Sequence, residues 1–96
     1  MICWVLYDIS NDKSRNKASK ICQQQGLIRV QLSCFVGEIT KSEIDAIEVQ
    51  MEELIDKKND KVYIFTMSKT DFNNTVLLGQ AYDKKFVSGD LKSMFI

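Results

Sequence analysis

Trp4-Val5-Leu6-Tyr7 and Val62-Tyr63-Ile64-Phe65 are apolar at every position and rich in β-branched and aromatic residues. Successive residues of a strand point to opposite faces of the sheet, so a strand with one wet face alternates apolar and polar residues. These two do not alternate. They call for a sheet covered on both faces, and a chain of 96 residues has material for only one compact core with which to cover it. A second copy of the same chain is the commonest cover for a face left over.

The surrounding pattern supplies the elements. Residues 1–9, MICWVLYDI, read as the first strand. Ser10, Asn11 and Asp12 offer helix N-caps. Ala18, Ile21, Cys22 and Gln25 then recur at helical spacing until Gly26 supplies a stop. Residues 27–39 alternate in part and then turn apolar, which favours a tight hairpin. Thr40 or Ser42 caps a second helix whose stripe of Ile44, Ile47, Met51, Leu54 and Ile55 runs to about residue 57. A Lys-Asn-Asp-Lys turn leads to the strand at 62–67, and Thr75 to Gly79 reads as a further, edge strand. The order βαββαβ predicts an α+β, ferredoxin-like antiparallel sheet with both helices on one face, over residues 1–79. Residues 80–96, with Phe86, Val87, Leu91, Met94, Phe95 and Ile96, are too apolar for a free tail. They are expected to form an additional C-terminal strand or tail packing on the partner protomer of a homodimer.

Composition removes several classes of chemistry. Histidine is absent, and Cys3, Cys22 and Cys34 show no CxxC spacing, so neither a zinc site nor a disulfide framework is supported. No GxSxG elbow is present, and the glycines Gly26, Gly37, Gly79 and Gly89 are isolated, which argues against nucleophilic triads and phosphate-cradling loops. No apolar run approaches the roughly 20 residues of a membrane span, and the N-terminal run is too short for a secretory signal. The expectation is a cytoplasmic protein without membrane association. Its net charge of zero hides an asymmetry. Lys13, Arg15, Lys17, Lys20 and Arg29 fall in a stretch without acids, while Glu43, Asp45, Glu48, Glu52, Glu53 and Asp56 fall in one without bases. One face can thus meet phosphate while another meets a basic protein, although such clusters also arise as ordinary solvated helix faces.

Asp8 is the outstanding residue, a carboxylate at the end of an apolar strand. It can cap the following helix or hold a hard divalent cation, which takes oxygen ligands and keeps several waters when only one or two carboxylates bind it. In a twofold dimer, one Asp8 from each chain could face the same ion.

Tyr7-Asp8-Ile9 ending the first strand, Arg15 in the first helix, Gly26-Leu27, and RVQLSCFVGEI from Arg29 to Ile39 together resemble the small CRISPR-associated spacer-adaptation family, the non-integrase partner of the adaptation complex. The likeness is strongest over residues 1–39; later, VYIFTM and TVLLGQ resemble the family's subsequent strands. The resemblance implies a ferredoxin-like homodimer with C-terminal strands exchanged between protomers. It also implies metal-dependent endonuclease activity on RNA or duplex DNA, with Mg²⁺ or Mn²⁺ as cofactor, and a central position between integrase dimers during spacer capture. By the same resemblance Asp8 is the metal-binding and catalytic aspartate. Arg15, Lys17 and Arg29 bind nucleic acid, and Tyr7, Ser33 and Phe35 support the site. Cys34 stands where the family usually has valine, and Lys17 where a second arginine is frequent; lysine keeps the charge but loses bidentate phosphate contact.

Three functions compete on this reading. The first is a duplex-DNA-binding subunit of spacer acquisition, paired with the CRISPR integrase and retaining metal-dependent phosphodiester cleavage. The second is a free-standing ribonuclease toxin of related fold, which would cut without any integrase. The third, an RNA-recognition module, lacks the aromatic-rich strand that stacks bases.

Overall fold

The computed structural model describes residues 1–79. Its elements are β1 (Ile2–Asp8), α1 (Asp12–Gln24), β2 (Ile28–Gln31), β3 (Cys34–Glu38), α2 (Lys41–Leu54), β4 (Lys61–Met67) and a short α3 (Lys69–Asn73). The strands form one sheet in the order β2-β3-β1-β4, with every neighbouring pair antiparallel. This is the βαββαβ ferredoxin-like arrangement expected from the element order.

Local chemistry sets the boundaries. Asn11 caps α1 by accepting from the Ser14 N–H at 3.0 Å. At the other end Gly26 adopts φ +92°, which lets the Gly26 N–H bond Gln23 O at 3.0 Å and the Leu27 N–H bond Cys22 O at 3.1 Å. That pair of bonds is a Schellman closure, and it needs the left-handed conformation that glycine adopts without a Cβ clash. Thr40 rather than Ser42 caps α2, through a capping box in which the Glu43 carboxylate accepts from the Thr40 N–H at 2.8 Å. The helix ends at Leu54, short of the expected residue 57. Asp56 explains the difference, because its carboxylate accepts from the Lys58 N–H and the Asn59 side-chain amide while its own N–H bonds Asp60. A local side-chain turn there outcompetes another helical turn.

The apolar runs divide between two faces. Cys3, Val5, Tyr7 and Ile9 enter the main core beneath α1 and α2, with Phe35, Ile44, Ile47 and Met51. Ile2, Val36 and Phe72 form a second buried cluster on the opposite face, with Trp4, Val30 and Met67 packed against it. This second face is only partly covered: Leu6, Tyr63 and Phe65 are 36%, 61% and 43% exposed.

The edge strand expected at 75–79 does not form. Ser68 instead caps α3 by accepting from the Asp71 N–H at 3.0 Å, and α3 drops Phe72, fully buried, onto the second face. The Thr75 N–H then closes on Phe72 O, and Val76 and Leu78 are left exposed. A strand needs a ladder partner, and no described segment offers these residues one. The strand or tail expected for residues 80–96 lies outside the described residues.

Candidate nucleic-acid and metal site

The site begins where β1 ends. Tyr7 and Asp8 are adjacent, so they point to opposite faces of the sheet: Tyr7 into the core and Asp8 outward to solvent. The hairpin between β2 and β3 closes over Tyr7, whose N–H bonds Ser33 O at 3.0 Å. Leu32 and Ser33 form its two-residue turn, with Ser33 at φ +63°. A register shift between Arg29 and Gln31 sets Arg29 directly opposite Phe35.

That register builds a layered support for Arg29. Its guanidinium lies over the Phe35 ring with its carbon 5.2 Å from the ring centre, and Nη2 donates to Ser19 Oγ on α1 at 2.6 Å. Phe35 in turn stacks against Tyr7 at 6.2 Å. Burial pushes the Tyr7 phenol above its ordinary pKa, with the Arg29 guanidinium and the Ser33 hydroxyl beside it acting in the opposite direction. Tyr7 is therefore a neutral phenol at physiological pH.

Tyr7, Arg15, Asn16, Arg29, Leu32 and Ser33 line a cavity of about 440 Å³ beside this stack. Arg15 reaches it from α1, donating to Ile9 O at 3.4 Å and pairing with Asp12 one turn earlier on the same helix. Two guanidinium groups and a phenol around one opening can receive an anionic oxygen, as phosphate backbone contacts require.

Of the residues singled out in the sequence, the structure brings Tyr7, Arg15, Arg29 and Ser33 together and places Phe35 beneath them, fully buried. It separates the other two. Lys17 lies two residues from Arg15 and so turns to the far side of α1, where with Lys20, Ile21, Gln24, Gln50, Glu53 and Leu54 it lines a groove of about 360 Å³ against α2. Asp8 stands on the open sheet face, beyond Leu6, with Lys61 as its register partner on β4. Ser19 and Asn16 were not apparent from sequence. The available signal was a serine on the buried stripe of α1, since a buried hydroxyl requires a partner.

Asp8 fits one mode of metal binding only. No group of three or more His, Cys, Asp or Glu side chains capable of holding a metal occurs among the described residues, so a single protomer provides no closed cage. An exposed carboxylate without a side-chain partner among the described residues suits Mg²⁺, which is usually held by one or two carboxylates and several waters. No helix among the described residues is long and apolar enough to cross a membrane.

Comparison with known proteins identifies the family. A curated protein of Chloroflexus aurantiacus, CRISPR-associated endoribonuclease Cas2 2, is 29% identical over 83 residues, covering 86% of this chain and 98% of its own. CRISPR-associated endoribonuclease Cas2 3 of Thermodesulfovibrio yellowstonii is 35% identical over 74 residues, covering 76% of this chain and 82% of its own. The crystal structure of Streptococcus pyogenes Cas2 superposes with a TM-score of 0.70 at 27% identity, covering 82% of this chain and all of that one. The family model for CRISPR-associated protein Cas2 matches residues 1–75, from the start of β1 to just beyond α3, and the chain belongs to that family.

Proposed function

We propose that this chain acts in CRISPR spacer acquisition as a homodimer that binds duplex DNA together with the CRISPR integrase, and that it retains metal-dependent endonuclease activity on RNA or DNA. The observation that carries the proposal is the two-sided end of β1. Arg15 and Arg29 converge on one side of it, and the Asp8 carboxylate stands on the other. The arginine side suits backbone phosphates, whose contacts position a duplex without reading its sequence. The partly covered face that carries Asp8 also carries Leu6, Tyr63 and Phe65, an apolar surface suited to a second copy of the chain.

Asp8, one from each protomer, would hold Mg²⁺ or Mn²⁺. A bound divalent ion supplies positive charge to a phosphoryl oxygen and makes a coordinated water more acidic, a hydrolytic route that needs no histidine. The endoribonuclease names of the relatives support hydrolysis, and the acidic outer face of α2, with Asp45, Glu48 and Glu52 exposed, suits a basic integrase surface. The test is a paired assay of wild type and Asp8→Ala for magnesium-dependent cleavage, duplex binding and integrase pull-down. Cleavage should vanish in the mutant while both associations persist. Loss of all three would make Asp8 structural, and undiminished cleavage would place the chemistry elsewhere. Vigorous RNA cleavage by the isolated chain with no integrase association would indicate a free-standing ribonuclease instead.

A further inference from the structure

Ser19 is 9% exposed, lies in the interior of α1, and has a hydroxyl that accepts from Arg29 Nη2 at 2.6 Å. The helix itself gives no reason for serine there, since alanine is the better helix former and a buried hydroxyl costs free energy unless it is hydrogen-bonded. The chemistry on the far side of the bond gives one. Arginine carries several donors in a rigid planar fork on a flexible stem. One edge of the Arg29 fork is tied to Ser19, its face rests on Phe35, and the side chain still borders the cavity that it shares with Arg15.

We propose that Ser19 is a positioning residue for phosphate binding: it fixes the plane of the Arg29 guanidinium so that the remaining donors are aimed into the cavity before nucleic acid arrives. The inference rests on the duplex-binding function proposed above and deepens it by assigning the two arginines different parts. Arg29 is the preorganised phosphate donor, held by α1 and the Phe35 ring. Arg15, paired among the described residues within its own helix turn and with the Ile9 carbonyl, is the adjustable one. Preorganisation raises affinity by removing the ordering cost from the binding step, without adding a charge.

This separates Ser19 from a residue that contacts phosphate. Ser19→Ala in the full chain should weaken binding to a mixed-sequence duplex about fivefold, the cost of ordering one long side chain at the binding step, with the slope of log affinity against log salt unchanged. All cations remain, so the number of counterions released is the same. Arg29→Gln should instead reduce that slope by about one. In arginine side-chain NMR, the Arg29 signals should show hindered guanidinium rotation in wild type and fast rotation in Ser19→Ala. Unchanged Arg29 signals or unchanged affinity in that variant would each overturn the proposal. Failure of the wild type to bind duplex would sink the functional reading instead, and the Arg29 signals would then decide on their own whether Ser19 positions the guanidinium.

Discussion

Phe35 is the residue whose replacement best separates support from contact. Its ring is fully buried, stacked on Tyr7 at 6.2 Å and roofed by the Arg29 guanidinium at 5.2 Å. Alanine would remove about 3–5 kcal/mol, too large a share of the roughly 5–15 kcal/mol that stabilises a domain for binding to be measured cleanly. Leucine keeps most of the volume at a cost of up to about 1.5 kcal/mol. Loss of the aromatic pair adds about 0.5–1.5 kcal/mol, and loss of the cation–π contact about 0.5–1 kcal/mol. The expected total for Phe35→Leu is roughly 1–4 kcal/mol, which at about 4–8 °C per kcal/mol lowers the melting temperature of a domain this size by at least about 4 °C.

The assay is a thermal melt and a urea titration, with duplex affinity measured well below the mutant's melting range. Affinity should fall too, because Arg29 loses its platform, but destabilisation should be the larger signal. Phe65→Leu is the control: Phe65 is 43% exposed on the open face against Trp4, and its replacement should cost no more than about 1 kcal/mol while weakening self-association. A Phe35→Leu protein that melts with wild type and loses only nucleic-acid binding would refute the reasoning. It would mean that the ring stacks on the ligand from an accessible position.

Other expectations follow from single contacts. A Cβ added at Gly37 would lie 3.1 Å from Leu27 Cδ2 and 3.3 Å from Gly26 O and Leu27 Cα; Gly37→Ala should therefore lower the unfolding free energy by about 1–2 kcal/mol, seen as a lower urea midpoint at constant m, and an unshifted midpoint would show that the backbone gives way. Hydrogen bonds from the Thr40 N–H and then its hydroxyl hold the Glu43 carboxyl below its ordinary value of 4.5, so the stability it contributes is complete above that value and is lost as pH falls through the lowered one. Urea midpoints at neutral and acid pH should accordingly show a smaller acid loss for Glu43→Gln than for wild type, and equal losses would dismiss the cap as the source. Burial pushes the Cys22 thiol up to about 12, with the neighbouring Cys3 and Cys34 adding to it and Arg29 opposing. In mass spectra after alkylation at pH 8, half-buried Cys34 should be modified first and Cys22 last, and Cys22 labelling at the rate of Cys34 would show that the core opens.

What could be read from the sequence was mostly short-ranged. Asn11, Gly26 and Thr40 with Glu43 act within one helical turn of themselves, and their consequences are visible in any window that contains them. The segment after β4 departs from its sequence pattern for a related reason. Thr75 to Leu78 has the composition of a strand, but Ser68 followed three residues later by Asp71 is a helix start, and Phe72 had a buried position to fill against Ile2 and Val36. Residues 75–78 find no ladder partner among the described residues, so β propensity alone does not make a strand there. Gly37 shows the opposite case, a residue quoted for its place in a motif whose physical reason, the close passage of the 26–27 turn, exists only in three dimensions.

The candidate site divides along the same line. Residues close together in a sequence motif need not share a surface: Tyr7 and Asp8 part because a strand alternates, and Arg15 and Lys17 part because two residues on a helix are about 200° apart. Both separations could have been deduced without coordinates. The convergence of Arg29 on Ser19 could not, since it depends on the register shift that sets Arg29 against Phe35 and on the height at which α1 crosses β2. The motif thus places a basic cavity beside α1 on one face of the sheet and a carboxylate on the other, apolar face. A second protomer docked on that face about a twofold axis passing near Asp8 would bring two carboxylates together and leave both basic cavities open to a duplex, and the paired Asp8→Ala assay then asks whether those carboxylates serve cleavage without serving duplex binding.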